Sequence, residues 1–271
     1  MHFSLPSFLP SLSSMPTLSV ITAHLDQLLR TREIPDYPPA LNGVQLENRG
    51  EIVKVAAAVD FSGRIVEQTI AAGANLLIVH HGMFWGGLRP ITGHLYDRIA
   101  PLVRHDIAVY ASHLPLDAHP ELGNNVLLAR ELGLDPAGGF ARYQTIDVGV
   151  QGVADIPTHV LVERARAVAV RHMGDVIATP LPDSRHTKRW GICTGAGADA
   201  STIREALASG IDTLIVGEGP HYTAVEAGDM GLAIIYVGHY ATETFGVRAL
   251  AEHLESRFGL PWTFLEAPTG L

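Results

Sequence analysis

Apolar positions along this chain fall into two alternating rhythms, and the alternation occurs twice. LLIV (76–79), IAVYA (107–111), TLIV (213–216) and AIIY (233–236) are short runs almost without polar residues. Such runs mark strands covered on both faces, as in a parallel sheet. Ahead of them the apolar residues recur at helical spacing. Val66 and Ile70 lead to Gly73, and Ile203 and Leu207 lead to Gly210, each glycine placed to end a helix. VKVAAAV and RWGICTG supply a further strand before each helix. Each half therefore reads strand–helix–strand–helix–strand.

The halves align as copies. IVEQTIAAGANLLIVHHG (65–82) falls on TIREALASGIDTLIVGEG (202–219), and IAVYASHLPLD (107–117) on AIIYVGHYATE (233–243). The second alignment puts His113 on His239 and Asp117 on Glu243. The first copy is longer, with its surplus in GMFWGGLRPITGHLYDRIAPLVRHD. The expectation is an α/β fold of two pseudo-symmetric halves from an internal repeat, over residues 16–135 and 189–271. The first half opens on a helix at Leu18–Arg30. Residues 136–188 form a structured connection with a strand at 145–150, a helix at 157–171 and a short strand near Val176–Ala178. MHFSLPSFLPSLSSMP lacks a basic leading region and a small-residue cleavage site, and two prolines cut its apolar runs. Residues 1–15 are accordingly read as a disordered extension rather than a signal peptide.

Composition narrows the function. A net charge of −9 and the lack of any Lys/Arg run beside aromatics make a nucleic-acid partner unlikely. No apolar stretch reaches the length of a membrane span. The single Cys193, inside a predicted strand, reads as a small core residue and fits a cytoplasmic protein.

The chemistry sits at strand ends. His80 and His81 close the LLIV run, where neighbours on a regular strand point to opposite faces. Both reach one site only where the strand turns into its loop, and ligands of open parallel sheets collect at such carboxyl ends. A lone His pair would read as one buried and one solvated imidazole. Each carboxylate, Asp117 or Glu243, would by itself read as an acid favoured at a helix N-terminus. That account does not cover two copies, each preceded by a His at the same spacing. The pattern points to a site with metal-binding chemistry between the halves, lined by imidazoles and carboxylates. His113 is either a further ligand or a catalytic group that moves protons beside the ligands.

LNGVQLE (41–47), AVDFS (58–62), LLIVHHGMFW (76–85), SHLPLDAHPELGNN (112–125) and GHYATETFGVRAL (238–250) resemble the Nif-three-like dinuclear metal centre proteins. These are also known as GTP cyclohydrolase 1 type 2 homologs, here in the short form without an inserted domain. The resemblance implies that His80, His81, Asp117, His239 and Glu243 hold two metal ions; five N/O donors are too few to saturate both, which makes Glu243 the candidate bridge, and a donor set without Cys suits divalent Zn, Mn, Fe or Co. It also implies a hydrolase acting on a small-molecule substrate, a nucleotide or another phosphorylated compound, within a homohexamer. The alternative is a non-catalytic metal-binding regulatory or scaffold protein. No P-loop is present, and the loop TGAGADAST before a helix is the candidate cradle for phosphates. Gly86 and Gly87 follow the FW pair where the family often has charged residues. Phe84 and Trp85 either pack into the core or an interface, or form a lid over the site.

Overall fold

The computed structural model describes residues 15–270, so the extension expected over residues 1–15 lies outside the described residues except for Met15. In chain order the first part comprises α1 (Leu18–Leu28), β1 (Gly43–Leu46), β2 (Val55–Asp60), α2 (Gly63–Ala71), β3 (Leu76–His81), α3 (His94–Arg104), β4 (Ala108–Ala111), α4 (Leu114–Asp117) and α5 (Asn124–Glu131). There follow β5 (Gly138–Tyr143), β6 (Ile146–Pro157), α6 (Thr158–Val170) and β7 (Ile177–Ala178). The last part holds β8 (His186–Cys193), α7 (Ala200–Ala208), β9 (Thr213–Val216), α8 (His221–Asp229), β10 (Ala233–Tyr236), α9 (His239–Phe258) and β11 (Trp262–Phe264).

These strands build two mixed sheets, ordered β1-β4-β3-β2-β11 and β5-β6-β8-β9-β10-β7. The centre of each is parallel. Ala57, Ile78 and Tyr110 stand in register across β2, β3 and β4, and Ile192, Ile215 and Ile235 across β8, β9 and β10. The strands between 136 and 188 are part of the second sheet. The strand read at 145–150 is the start of the longer β6, which pairs antiparallel with β5 and β8. The helices ahead of β3 and β9 start and stop by the same devices. Ser62 accepts from the amide of Ile65 at 3.3 Å and Asp199 from that of Thr202 at 2.7 Å. Past their ends Gly73 and Gly210 take φ of +65° and +69°, the left-handed turn that glycine enters at least cost.

The helices that follow the third parallel strands exchange sheets. On α9, Val247, Leu250, Ala251 and Leu254 are buried in one core with Val55, Leu76, Ile78 and Tyr110 of the first sheet. On α5 and at its C-cap, Leu128, Ala129 and Leu132 are buried with Trp190, Ile192, Ile215 and Ile235 of the second. At roughly 1.5–3 kcal/mol for each large apolar side chain taken from water, these seams contribute heavily to stability. Where the two helices meet, the Gly246 amide donates to Asn124 Oδ1 at 2.6 Å. Tyr110, fully buried in the first seam, donates its hydroxyl to Asp26 Oδ1 at 2.9 Å. Its phenol is held well above its ordinary range, first by burial and then by that carboxylate. Among the described residues no helix is long and apolar enough to cross a membrane.

Candidate metal centre

β3 ends on His80 and His81, and β4 runs into the short α4 that carries Asp117. The first two turns of α9 carry His239 and Glu243. The helix exchange brings these ends together, because α9 lies on the first sheet while it leaves from the second. His80, His81, Asp117 and Glu243 are buried, and His239 is half-buried. His80 and His81 reach the same site at the strand's end, with ring centroids 4.8 Å apart.

What turns them inward is a set of acceptors behind each ring. His80 Nδ1 donates to the carbonyl of Ser112 at 2.9 Å. His81 Nδ1 donates to Asp60 Oδ1, His113 Nδ1 to Asp36 Oδ1 and His239 Nδ1 to Glu218 Oε1, each at 2.8 Å. A carbonyl or an ionised carboxylate can only accept, so each Nδ1 carries a proton and a neutral ring directs its Nε2 lone pair the other way. Glu243 lies where these lone pairs converge. Its Oε2 is 3.1 Å from His239 Nε2 and 3.5 Å from His81 Nε2, and its Oε1 is 3.6 Å from His80 Nε2. Asp117 Oδ2 is 3.4 Å from His80 Nε2, while Asp117 Oδ1 accepts from the Asn124 amide at 2.8 Å.

The Nε2 atoms of His80, His81 and His239, and Glu243 Oε2, are buried without a hydrogen-bond partner. Buried polar atoms left unpaired are costly unless something else satisfies them. Donors bound to one tetrahedral ion stand about 3.3–3.6 Å apart, the range that three of these four separations occupy. Two overlapping groups, His80/His81/His113 and His81/His239/Glu243, bring their donor atoms within 4.8 Å of one another. The residues therefore fit a metal ion.

The carboxylates govern the titration of these rings. Burial alone would push the His80 imidazole down, but Asp117 and Glu243 overcome it and hold the ring well above its usual range. His239 is likewise carried, against burial, to about 9 by Glu243 and Glu218. Burial would raise the Glu243 carboxyl, yet His81 and His80 bring it well below the usual carboxylate range. Room for that carboxylate comes from Gly195, at φ +62°, where a Cβ would collide with Glu243 Oε1.

All five residues expected as ligands come together, with His113 beside them, its ring 4.8 Å from that of His80. In the TGAGADAST loop the amides of Thr194, Gly195 and Ala198 donate to Asn125, Thr242 and Glu218. Asp199 fills the N-terminus of α7 itself, accepting from the Thr202 amide at 2.7 Å and the Ser201 hydroxyl at 2.6 Å. Cys193 lines the adjoining cavity, and burial first, then Asp117, Asp199 and Glu243, push its thiol far up. The aromatic pair of the 82–90 loop divides. Phe84 packs against the outer core of the first sheet, whereas Trp85 covers the rings of His81 at 4.6 Å and His113 at 4.5 Å while 37% exposed. The sequence reading missed Asp36, Asp60 and Glu218. Glu218 had a signal, since VGEG aligned on VHHG puts it in the column of His81.

Residues 16–269 match the family described as Duf34/NIF3 (NGG1p interacting factor 3). A Deinococcus radiodurans protein named GTP cyclohydrolase 1 type 2 homolog is 40% identical over 247 residues, covering 91% of this chain and 92% of its own. The solved structure of the protein ybgI, described as of unknown function, aligns with a TM-score of 0.83 at 34% identity, covering 93% of this chain and 99% of that one. The crystal structure of TTHA1606 from Thermus thermophilus aligns with a TM-score of 0.79 at 38% identity, with coverage of 93% and 99%.

Proposed function

The chain belongs to the Duf34/NIF3 family, and from that premise we propose that it is a hydrolase of small molecules dependent on two divalent ions. The observation that carries this reading is the set of Nδ1–H bonds that leaves the Nε2 atoms of His80, His81 and His239 unpaired around one buried carboxylate. His80, Asp117 and Glu243 Oε1 would hold one ion, and His81, His239 and Glu243 Oε2 the other. When bound, such ions supply Lewis-acid polarisation of water and of the group under attack.

The protein's own residues do the rest. Ser112, Asp60 and Glu218 fix the tautomer and orientation of the three ligand rings. Asp36 does the same for His113, and its second carboxylate oxygen accepts from Asn42 and from the Leu114 amide. Held in this way, His113 Nε2 accepts and returns a proton at the cavity edge. Trp85 shields the rings from bulk water.

The name carried by the relatives brings a nucleotide substrate to this chain as part of the proposal. So is a homohexamer, as the resemblance implies. The two halves are further proposed to derive from one duplicated unit, because His113 and His239 each stand at the start of a helix after a third parallel strand with a carboxylate behind Nδ1. The test is an assay of metal-loaded protein against a panel of nucleotides and phosphoesters. Turnover that Glu243→Ala abolishes supports a hydrolase. No turnover across the panel with both ions bound favours a regulatory or scaffold role.

A further inference from the structure

Beside the His239–Glu243 pair lies a cavity of about 280 Å³, just below the usual range for small-ligand sites. Aromatic rings succeed one another around it. Trp85 stands edge-on to His113 at 4.5 Å, Tyr37 is 6.0 Å from His113, and Tyr143 is 4.9 Å from Tyr37 at a tilt of 49°. Tyr37 and Trp85 remain 49% and 37% exposed, so these rings face the void rather than complete a core.

The segment that delivers Tyr143 is held in costly backbone. Ala141 and Gln144, neither a glycine, take φ of +57° and +49°, and the Arg142 amide between them is tied to Glu205 of α7 at 2.8 Å. Strain of this kind persists where surrounding structure enforces it, and it gathers at functional sites.

The polar part of the lining sets the carboxylates of Asp117, Asp199 and Glu243 beside the imidazoles of His81, His113 and His239. Among its described residues Arg142 is the one Lys or Arg, and its guanidinium is already given to Asp147 at 3.0 Å and to the Gln144 carbonyl at 3.2 Å. The α7 N-terminus is occupied by Asp199. Outside the proposed metal centre, no cationic side chain of the wall is therefore left unpaired.

We infer that this cavity is a specificity site for an uncharged planar heterocycle of nucleobase size, stacked against the Tyr37–Tyr143 pair on a wall that Trp85 also lines. On this inference the enzyme reads the ring of its substrate and not its phosphates. The inference rests on the small-molecule hydrolase reading, but its test requires no turnover.

Binding of guanosine, GTP and ribose 5-phosphate to the metal-loaded chain is measured by calorimetry, with metal content and thermal midpoint recorded on the same samples. Tyr143→Ala and Tyr37→Ala should each weaken guanosine about tenfold or more, the usual scale for losing one stacking partner. Metal content should be unchanged, and Tyr143→Phe should restore binding. Arg142→Ala should leave GTP and guanosine within about twofold of the parent. The two tyrosines lie on separate segments, so misfolding of one variant leaves the other as a test. Guanosine that fails to bind, or binds both alanine variants like the parent, overturns the inference. So does an Arg142→Ala variant that loses GTP while retaining guanosine. Absence of turnover despite tyrosine-dependent binding would count against the hydrolase and leave the ring site standing.

Discussion

At the residue scale, the groups behind the imidazoles decide what the centre can bind. Asp60 and Glu218 each lock one ring through a 2.8 Å bond. Asp60→Asn or Glu218→Gln should weaken metal binding about 10- to 100-fold, the usual cost of removing such a partner. Metal titration by competition with a chelator reads this, and the thermal midpoint of metal-free protein should hardly move. Gly195→Ala should do worse, since its methyl would press on Glu243 and the backbone there is left-handed. The five proposed ligands stood out as polar side chains that end or follow apolar runs, with His239 and Glu243 in the columns of His113 and Asp117, but it was the family resemblance that joined them into one ligand set. Asp36 was not, because it lies in an irregular proline-flanked segment far along the chain from His113, and only tertiary packing brings it there.

At the element scale, the central strands and the helices joining them were legible, since their burial on both faces writes continuous apolar runs. β5 was not, because its exposed glycines and hydrophilic tip carry neither rhythm. The side chains of α9 carry two duties, donors in the first turns and core residues further along. Leu250→Ala should therefore cost about 2–5 kcal/mol of stability, measured by denaturant unfolding, without removing any metal donor. Trp85→Ala should behave oppositely. It removes a half-exposed ring over His81 and His113, so the fold and metal content should persist while substrate affinity or turnover falls. A large drop in thermal stability would instead make Trp85 a packing residue.

At the scale of the whole molecule, the exchange of α5 and α9 binds the two sheets into one cooperative unit, a feature no local pattern announces. The periodicity of α9 indicates an apolar face, but not which sheet it covers. Unfolding followed by tryptophan fluorescence and by circular dichroism should give coincident single transitions. Residues 16–135 expressed alone should fail to fold, since the sheet surface that α9 covers would be left bare; a stable fragment would contradict the exchange as the source of cohesion. The same exchange carries His239 and Glu243 from the second half onto the strand ends of the first, so the proposed metal centre exists only in the assembled molecule. Anomalous diffraction from crystals of protein reconstituted with a divalent transition metal tests that claim most directly. The account predicts two peaks flanking Glu243, one beside His80 and Asp117 and the other beside His81 and His239. A cluster that stays free of anomalous signal, or metal found only at sites remote from Glu243, would contradict it.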